Sequence, residues 1–279
     1  MLEFYGTRIN HRGKWRVHAF LRRILRANCN CNIDVERQGL RWRLNPSDFV
    51  QTHLFWTGEY EYMDVHHLCH WLRPGAVVFD VGANFGYYSI MLASAMRGTG
   101  HVFAFEPNQA TYARLQTNIA LNNLDSAITA IRCGLSDTPR VAFLKETEGN
   151  SGATIVSDEP TAEPIMLETL DGFCAKQNID YIDIIKIDVE GNELQVLEGG
   201  RAVLSKNRPV LMIEFNPCAL EGVGSSAGEL AKLLGSWGYQ LLVATRGRLA
   251  PLQSLPARGV IMNVFCLPNP QARAFKEVA

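Results

Sequence analysis

The segment Ala76–Val81 (AVVFDV) runs directly into Gly82, and this limits the fold more than any other stretch of the chain. Five apolar residues and one acid, bounded by turn residues, suit a strand buried on both faces of a parallel sheet. Leu72-Arg73-Pro74-Gly75 supplies turn chemistry before it, and Tyr87–Met96 reads as a helix after it. The pattern then repeats. His101–Glu106, Ile128–Cys133, Tyr181–Asp188, Pro209–Phe215, Gln240–Ala244 and Val260–Leu267 are strand-like, and helices are predicted over Gln109–Asn122, Glu193–Leu204 and Ala227–Trp237. Parallel neighbours need a crossover, usually a helix, so this alternation predicts an α/β fold. The expected architecture is a Rossmann-like, doubly wound, mostly parallel seven-stranded sheet with an N-terminal helical extension. Residues 140–170 break the rhythm with Gly149, Asn150, Gly152 and two prolines, and read as a hairpin or lid inserted near the active edge. The expected division is a basic extension or cap over 1–72 and a cofactor-binding domain over 73–279.

The turn Asp80-Val81-Gly82-Ala83-Asn84-Phe85-Gly86 lies where open α/β sheets bind ligands, beyond a strand's carboxyl end. A dinucleotide site wants G-x-G-x-x-G, whose middle glycine lets pyrophosphate approach the backbone. Here Asn84 occupies that place, and Asp80 suits an ammonium group better than a phosphate. Both features disfavour a nicotinamide-dependent reductase and favour an amino-acid-bearing nucleoside, S-adenosylmethionine. Gly82, Ala83, Asn84, Gly86 and Tyr87 are expected to hold it. Glu106, ending the next strand, can accept from both ribose hydroxyls, with Pro107 beside it. Leu135 and Ser136, after the third strand, are expected to border adenine.

Asp80–Tyr88 (DVGANFGYY), Phe105-Glu106-Pro107, Thr169-Leu170-Asp171 and Asp183–Glu193 (DIIKIDVEGNE) together resemble the FkbM family of S-adenosylmethionine-dependent methyltransferases. Gly58-Glu59-Tyr60-Glu61 upstream and Leu211–Phe215 downstream are similar too, so the resemblance covers about residues 55–215. It implies a class I methyltransferase fold and O-methylation of sugar or polyketide hydroxyls in secondary metabolites and glycans. It further implies that Glu61 folds back over the methionine moiety. Residues 1–50 and 245–279 lie outside it, and substrate choice is expected there and in the 140–170 insert.

Methyl transfer to an alcohol requires alignment and a base that takes the hydroxyl proton. Asp188 ends the fourth predicted strand, Glu190 follows two residues on, and Glu214 lies near the end of the fifth. With Lys186 they could form a base with an electrostatic partner, or a divalent-metal site of oxygen ligands. No histidine joins the carboxylates, so a metal is not expected. Strand alternation puts Lys186 and Asp188 on one face. Lys186 as a neutraliser of buried acids and Glu190 as a helix-start acid are the structural alternatives. His66, His67 and His70 form HHxxH on a predicted helix, but no glutamate occupies the zincin position, and a packing role is expected. Asn216-Pro217-Cys218 resembles part of an N-P-P-aromatic motif but follows the fifth strand, which disfavours methylation of a nucleic-acid base.

Charge is unevenly spread. The 279 residues carry a formal net charge of −1, yet residues 1–48 hold ten Lys and Arg against four acids. Overall neutrality disfavours a nucleic-acid partner. Residues 14–27 (KWRVHAFLRRILRA) predict a basic amphipathic helix suited to packing, or to peripheral contact with anionic lipid, an acidic carrier or a glycolipid acceptor. The seven cysteines are scattered, without zinc or redox spacing, and are expected to be buried free thiols. No stretch of 18 apolar residues and no signal-peptide pattern is present, so a cytoplasmic protein is expected. The reading that follows is an O-methyltransferase acting on a small hydroxyl acceptor. Its rivals are an N-methyltransferase on a peptide or amino sugar, and a non-catalytic cofactor-binding module that docks a carrier or membrane. The sequence leaves the oligomeric state open.

Overall fold

The computed structural model describes residues 32–147, 150–157, 163–245 and 247–269. The predicted basic helix at 14–27 lies outside them. The described chain opens with a hairpin, β1 (Ile33–Arg37) and β2 (Leu40–Leu44), then two short helices, α1 (Gln51–Thr57) and α2 (Tyr62–Cys69). The alternating portion follows as β3 (Val77–Val81), α3 (Tyr87–Met96), β4 (His101–Phe105), α4 (Gln109–Leu121), β5 (Ile128–Ile131) and β6 (Gly134–Leu135). Three strands come next: β7 (Arg140–Thr147), β8 (Asn150–Ser157) and β9 (Glu163–Glu168). The chain continues as α5 (Leu170–Gln177), β10 (Ile184–Ile187), α6 (Glu193–Glu198), α7 (Arg201–Asn207), β11 (Val210–Phe215), α8 (Pro217–Gly222) and α9 (Ala227–Ser236). It closes with β12 (Tyr239–Thr245), β13 (Arg248–Pro251) and β14 (Met262–Pro268).

The main sheet runs β13-β12-β14-β11-β10-β3-β4-β5. All seven expected strands are in it, but it has eight: β13 pairs antiparallel with β12 as an added edge. The sequence reading missed β13 because its four residues, RLAP, lack an apolar run and end in proline, a residue sheets tolerate at an edge. β11, β10, β3, β4 and β5 are parallel neighbours, and β14 runs antiparallel between β11 and β12. The order steps outward from β3 in both directions, so the strand ends flanking β3 and β10 form the crevice that binds ligands in such folds.

Two apolar layers sandwich the sheet. One face packs Val78, Ile90, Leu92, Leu115 and Ile184. The other packs Phe79, Ile185, Ile187, Leu197 and Leu211. The hairpin joins the first layer through Val35, Trp42 and Leu44. Its backbone is also tied to α4, where Arg43 and Arg41 donate their N–H groups to Asn118 and Asn122 Oδ1. Arg37 is buried and donates to the Phe55 carbonyl at 2.7 Å, so this basic residue fixes the cap rather than reaching outward.

The predicted helix Glu193–Leu204 is two helices, α6 and α7, broken at Gly199-Gly200. A Cβ on Gly199 would sit 2.0 Å from the Ser136 carbonyl oxygen, so the break lets the chain pass against the β6 loop. β6, β9, β7 and β8 form a second, four-stranded sheet, whose inward Ala142, Leu144, Ile165 and Leu167 make a small core of their own. Of the described cysteines, Cys174 and Cys266 are buried, Cys69 and Cys133 are partly so, and Cys218 is exposed, which corrects the expectation of uniformly buried thiols. Among the described residues no helix is long and apolar enough to cross a membrane.

Candidate active site

A cavity of about 700 Å³ opens at the carboxyl ends of β3, β4, β10 and β11. The turn after β3 forms its floor. Gly82 and Asn84 have positive φ, 78° and 50°, and the N–H groups of Gly82 and Ala83 both donate to the Phe105 carbonyl. Glycine is required at 82 because a Cβ there would lie 1.8 Å from the Asp188 carbonyl oxygen. Gly86 starts α3 at φ 95°, and a Cβ on it would strike Leu115 at 2.6 Å. This glycine closes the helix onto α4 and does not itself line the cavity.

Glu106 is buried and accepts from the Asn84 N–H at 2.9 Å and the Asn108 N–H at 3.0 Å. Burial pushes its carboxyl up to about 7, against the pull of those two bonds. Each oxygen keeps a lone pair for a ligand hydroxyl. Pro107, Leu135 and Ser136 continue this end of the cavity, and Leu144, Val156 and Leu167 of the small sheet face them. The insert thus walls the cavity, which the sequence reading placed only as near the active edge.

The parallel register sets the charged end. Asp80 and Lys186 are paired neighbours on β3 and β10, and Asp188 and Glu214 follow the last paired residues of β10 and β11. Lys186 donates to the Gly82 carbonyl at 2.8 Å and stands 3.3 Å from Asp188 and 3.5 Å from Asp80. Burial alone would lower its pKa, but Asp188, Asp80 and Glu61 together raise it above the ordinary lysine value. Asp80 does not reach the cavity, which corrects its expected contact with a ligand ammonium. It is fully buried, and its Oδ2 accepts from the Ser89 N–H and hydroxyl at the start of α3. An acid at this strand position therefore anchors helix α3 and balances Lys186.

Asp188, Glu190 and Glu214 converge, each offering an oxygen within 4.8 Å of the others, the one such carboxylate, histidine or cysteine set among the described residues. Burial first, then the Asp188 charge, pushes Glu190 up to about 8 and Glu214 to about 10. Glu214 Oε2 and Asn84 Oδ1, both on residues lining the cavity, are buried without a protein partner. Glu190 has φ 51° and is not the helix-start acid. That role belongs to Glu193, the first residue of α6, whose Oε1 accepts from the Val189 and Gly191 N–H groups. Asn216 caps α8 by accepting from Ala219 N–H and donates to Glu190 Oε2 at 3.4 Å, which gives the Asn-Pro-Cys segment a structural role.

Glu61 closes the cavity from the cap, accepting from the Tyr88 hydroxyl at 2.7 Å. Tyr60 also lines it, and burial followed by the Glu61, Asp188 and Glu214 charges raises its pKa well above the ordinary tyrosine value. Tyr60 and Tyr88 belong to motifs quoted from the sequence but were not assigned roles; an apolar environment for a hydroxyl is not visible in a linear string. Phe49, Val50, His53 and Ile261 complete the mouth, and no sequence signal marked them. The histidine triplet stays outside: His70 Nδ1 meets the His66 carbonyl at 2.8 Å, and His67 packs on Phe265.

A family model described as "Methyltransferase FkbM domain" matches residues 80–241. The chain belongs to the FkbM methyltransferase family. Among its curated relatives, the methyltransferase sdnD of Sordaria araneosa is 30% identical, covering 46% of this chain and 61% of that protein. The hexuronic acid methyltransferase AglP of Haloferax volcanii is also 30% identical, over 44% of this chain and 49% of that protein. The 31-O-demethyl-FK506 methyltransferase FkbM of Streptomyces tacrolimicus is 29% identical over 61% of this chain and 75% of that protein. The chain therefore spans less than two thirds of the first two relatives' length. The family match covers the glycine turn, Glu106 and the Asp188–Glu214 acids, and leaves out Glu61 and the capping hairpin.

Proposed function

We propose that this chain is a methyltransferase that uses S-adenosylmethionine to methylate a hydroxyl of a sugar, polyketide or related secondary metabolite. The observation that carries the reading is the meeting, in one cavity, of a ribose-type acid with a cluster of carboxylates suited to a cation. The family relationship supports it, as do relatives named for hexuronic acid and for an O-demethylated substrate.

The residues present suit the cofactor. Glu106 is available to ribose hydroxyls, Leu135 and Ser136 to the base, and the Gly82–Asn84 turn with Glu61 and Asp188 to the amino-acid end. The orphaned Asn84 Oδ1 offers an acceptor to a donor from a ligand. When bound, S-adenosylmethionine supplies an electrophilic methyl group on a sulfonium centre. The protein's part is to hold an acceptor hydroxyl in line, exclude water and take up the hydroxyl proton. A positioned base contributes about 10²–10⁴-fold to such a step. Asp188 faces the cavity with Lys186 behind it and is the base in this reading. Lys186, tied to Gly82 and Asp80, fixes the Asp188 carboxylate and the glycine turn as one unit. Glu190 and Glu214 are held largely protonated at neutral pH in the free protein, and Glu214 can donate a hydrogen bond to the acceptor.

Calorimetry tests the reading directly, followed by a screen of hydroxylated acceptors with labelled cofactor. Micromolar binding of S-adenosylmethionine and label transfer to an oxygen are expected. Tight binding of a nicotinamide dinucleotide with no binding of S-adenosylmethionine would overturn it.

A further inference from the structure

The geometry points to Tyr88 as a positioning residue that acts through Glu61, fixing that carboxylate over the cavity where the amino-acid end of S-adenosylmethionine would lie. The inference rests on the cofactor reading above. Three features of the pair carry it. Glu61 sits at the N-cap of α2 with φ 43° and ψ 31°, a conformation uncommon outside glycine, yet its side chain makes no capping bond. An acid at an N-cap ordinarily turns back to the helix N–H groups. This one is held by a backbone kink toward the cavity instead, where its Oε2 takes the Tyr88 hydroxyl at 2.7 Å.

Tyr88 itself is buried, only 4% exposed, on the first turn of α3 directly behind the glycine turn. Its hydroxyl reaches out of the main domain to the cap, and its ring lies 5.3 Å from the Lys186 ammonium. The side chain thus connects the lysine that orders Asp188 and Gly82 with the carboxylate contributed by the cap. A phenylalanine would fill the same space but could not donate to Glu61. Tyr87 next to it makes a parallel link, its hydroxyl 3.2 Å from Gln38 Oε1 in the hairpin turn.

The charged surroundings of Glu61 are mixed. Lys186 favours its ionised form, Asp188 and Asp64 oppose it, and Tyr60, Tyr87 and Glu214 share the same enclosure. Burial pushes Glu61 up to about 6, and the bond from Tyr88 restrains that rise. Hydrogen bonds to an ionised carboxylate stabilise that form, so removing the Tyr88 hydroxyl moves the titration upward by about one unit.

The decisive measurement is the affinity for S-adenosylhomocysteine from pH 5.5 to 9, because this ligand keeps the α-ammonium and lacks the sulfonium charge. In the parent protein affinity should rise through a step near the Glu61 value. Tyr88→Phe should shift the step upward, weakening binding about 2-fold at pH 7 and about 8-fold at pH 5.5, and leaving it nearly unchanged at pH 9. Glu61→Gln should abolish the step, and adding Tyr88→Phe to it should cost no further affinity, since the two act as one unit. A loss from Tyr88→Phe that is equal at every pH, or no loss, overturns the inference and leaves Tyr88 a packing residue. Failure of the parent protein to bind either S-adenosylmethionine or S-adenosylhomocysteine overturns the cofactor reading instead.

Discussion

Binding of S-adenosylmethionine should expel more protons from the carboxylate cluster than binding of S-adenosylhomocysteine, which lacks the sulfonium charge. In the free protein Glu190 sits at about 8 and Glu214 at about 10, so both are protonated at pH 7. A sulfonium bound within about 6 Å of Glu190 would, at an effective dielectric of about 20, contribute roughly 2.8 kcal/mol, or about two pKa units. Glu190 would fall from about 8 to about 6, and its protonated fraction at pH 7 from about 0.9 to about 0.1. The expected release is therefore about 0.8 proton per cofactor; Glu214, lowered by the same amount, stays protonated. The sign follows from linkage. The cation prefers the ionised cluster, so S-adenosylmethionine affinity climbs between pH 6 and 8 and the gain is lost below about pH 6. Across that window the affinity ratio of S-adenosylmethionine to S-adenosylhomocysteine should grow by up to about 100-fold. Titration calorimetry at pH 7 in buffers of different ionisation enthalpy counts the protons. Equal release by the two ligands, or a ratio that stays flat from pH 5.5 to 8.5, would refute the placement of the sulfonium beside these acids.

Other consequences follow from the same geometry. Asp188→Asn should lower kcat about 10²–10⁴-fold while changing cofactor affinity only a few-fold, and unchanged turnover would remove Asp188 from the base role. Lys186→Met leaves Asp80 buried, with its Oδ1 lacking any hydrogen-bond partner, so a loss of about 3–5 kcal/mol in urea unfolding is expected. A variant as stable as the parent would mean that Asp80 is not balanced by Lys186. Gly82→Ala should cost about 2–4 kcal/mol and also weaken cofactor binding, because relieving the 1.8 Å approach to the Asp188 carbonyl displaces the base; native-like melting and binding would contradict this. Activity should survive EDTA, since Lys186, shared protons and a cationic cofactor balance the cluster; loss on chelation with recovery in Mg²⁺ would reassign Asp188, Glu190 and Glu214 as metal ligands.

The readable and unreadable parts of the site separate along a physical line. A buried parallel strand declares itself as an apolar run, and its last residue lies at the ligand edge by topology alone. Asp188, Glu214, Glu106 and the Gly82 turn were legible for that reason. The direction of a side chain at such an edge is not legible. Asp80 lies within the same run as Val81, yet it turns beneath the cavity to Ser89 and Lys186, because a buried lysine and the start of α3 both need a carboxylate there. The same ambiguity covers motif residues that merely build. Thr169 caps α5, and Asp171 accepts from the Ala202 and Val203 N–H groups at the start of α7, so a family signature can mark helix capping as readily as chemistry. β13 escaped notice because a four-residue edge strand needs one partner and no apolar run. The cap is the least legible region. Phe49, His53, Tyr60 and Glu61 reach the cavity only because Trp42 and Leu44 of the hairpin pack into the main core and Arg37 pins α1 through the Phe55 carbonyl. Those contacts join residues far apart in the chain, and no local period records them. A basic residue such as Arg37, counted toward a charged front that meets a partner, proves to be an internal strut. Charge counted along the sequence therefore says little about which of the described cations are free to meet a partner, and what the described part of the cap brings to the cavity includes the aromatic rings of Phe49 and Tyr60 and the Glu61 carboxyl.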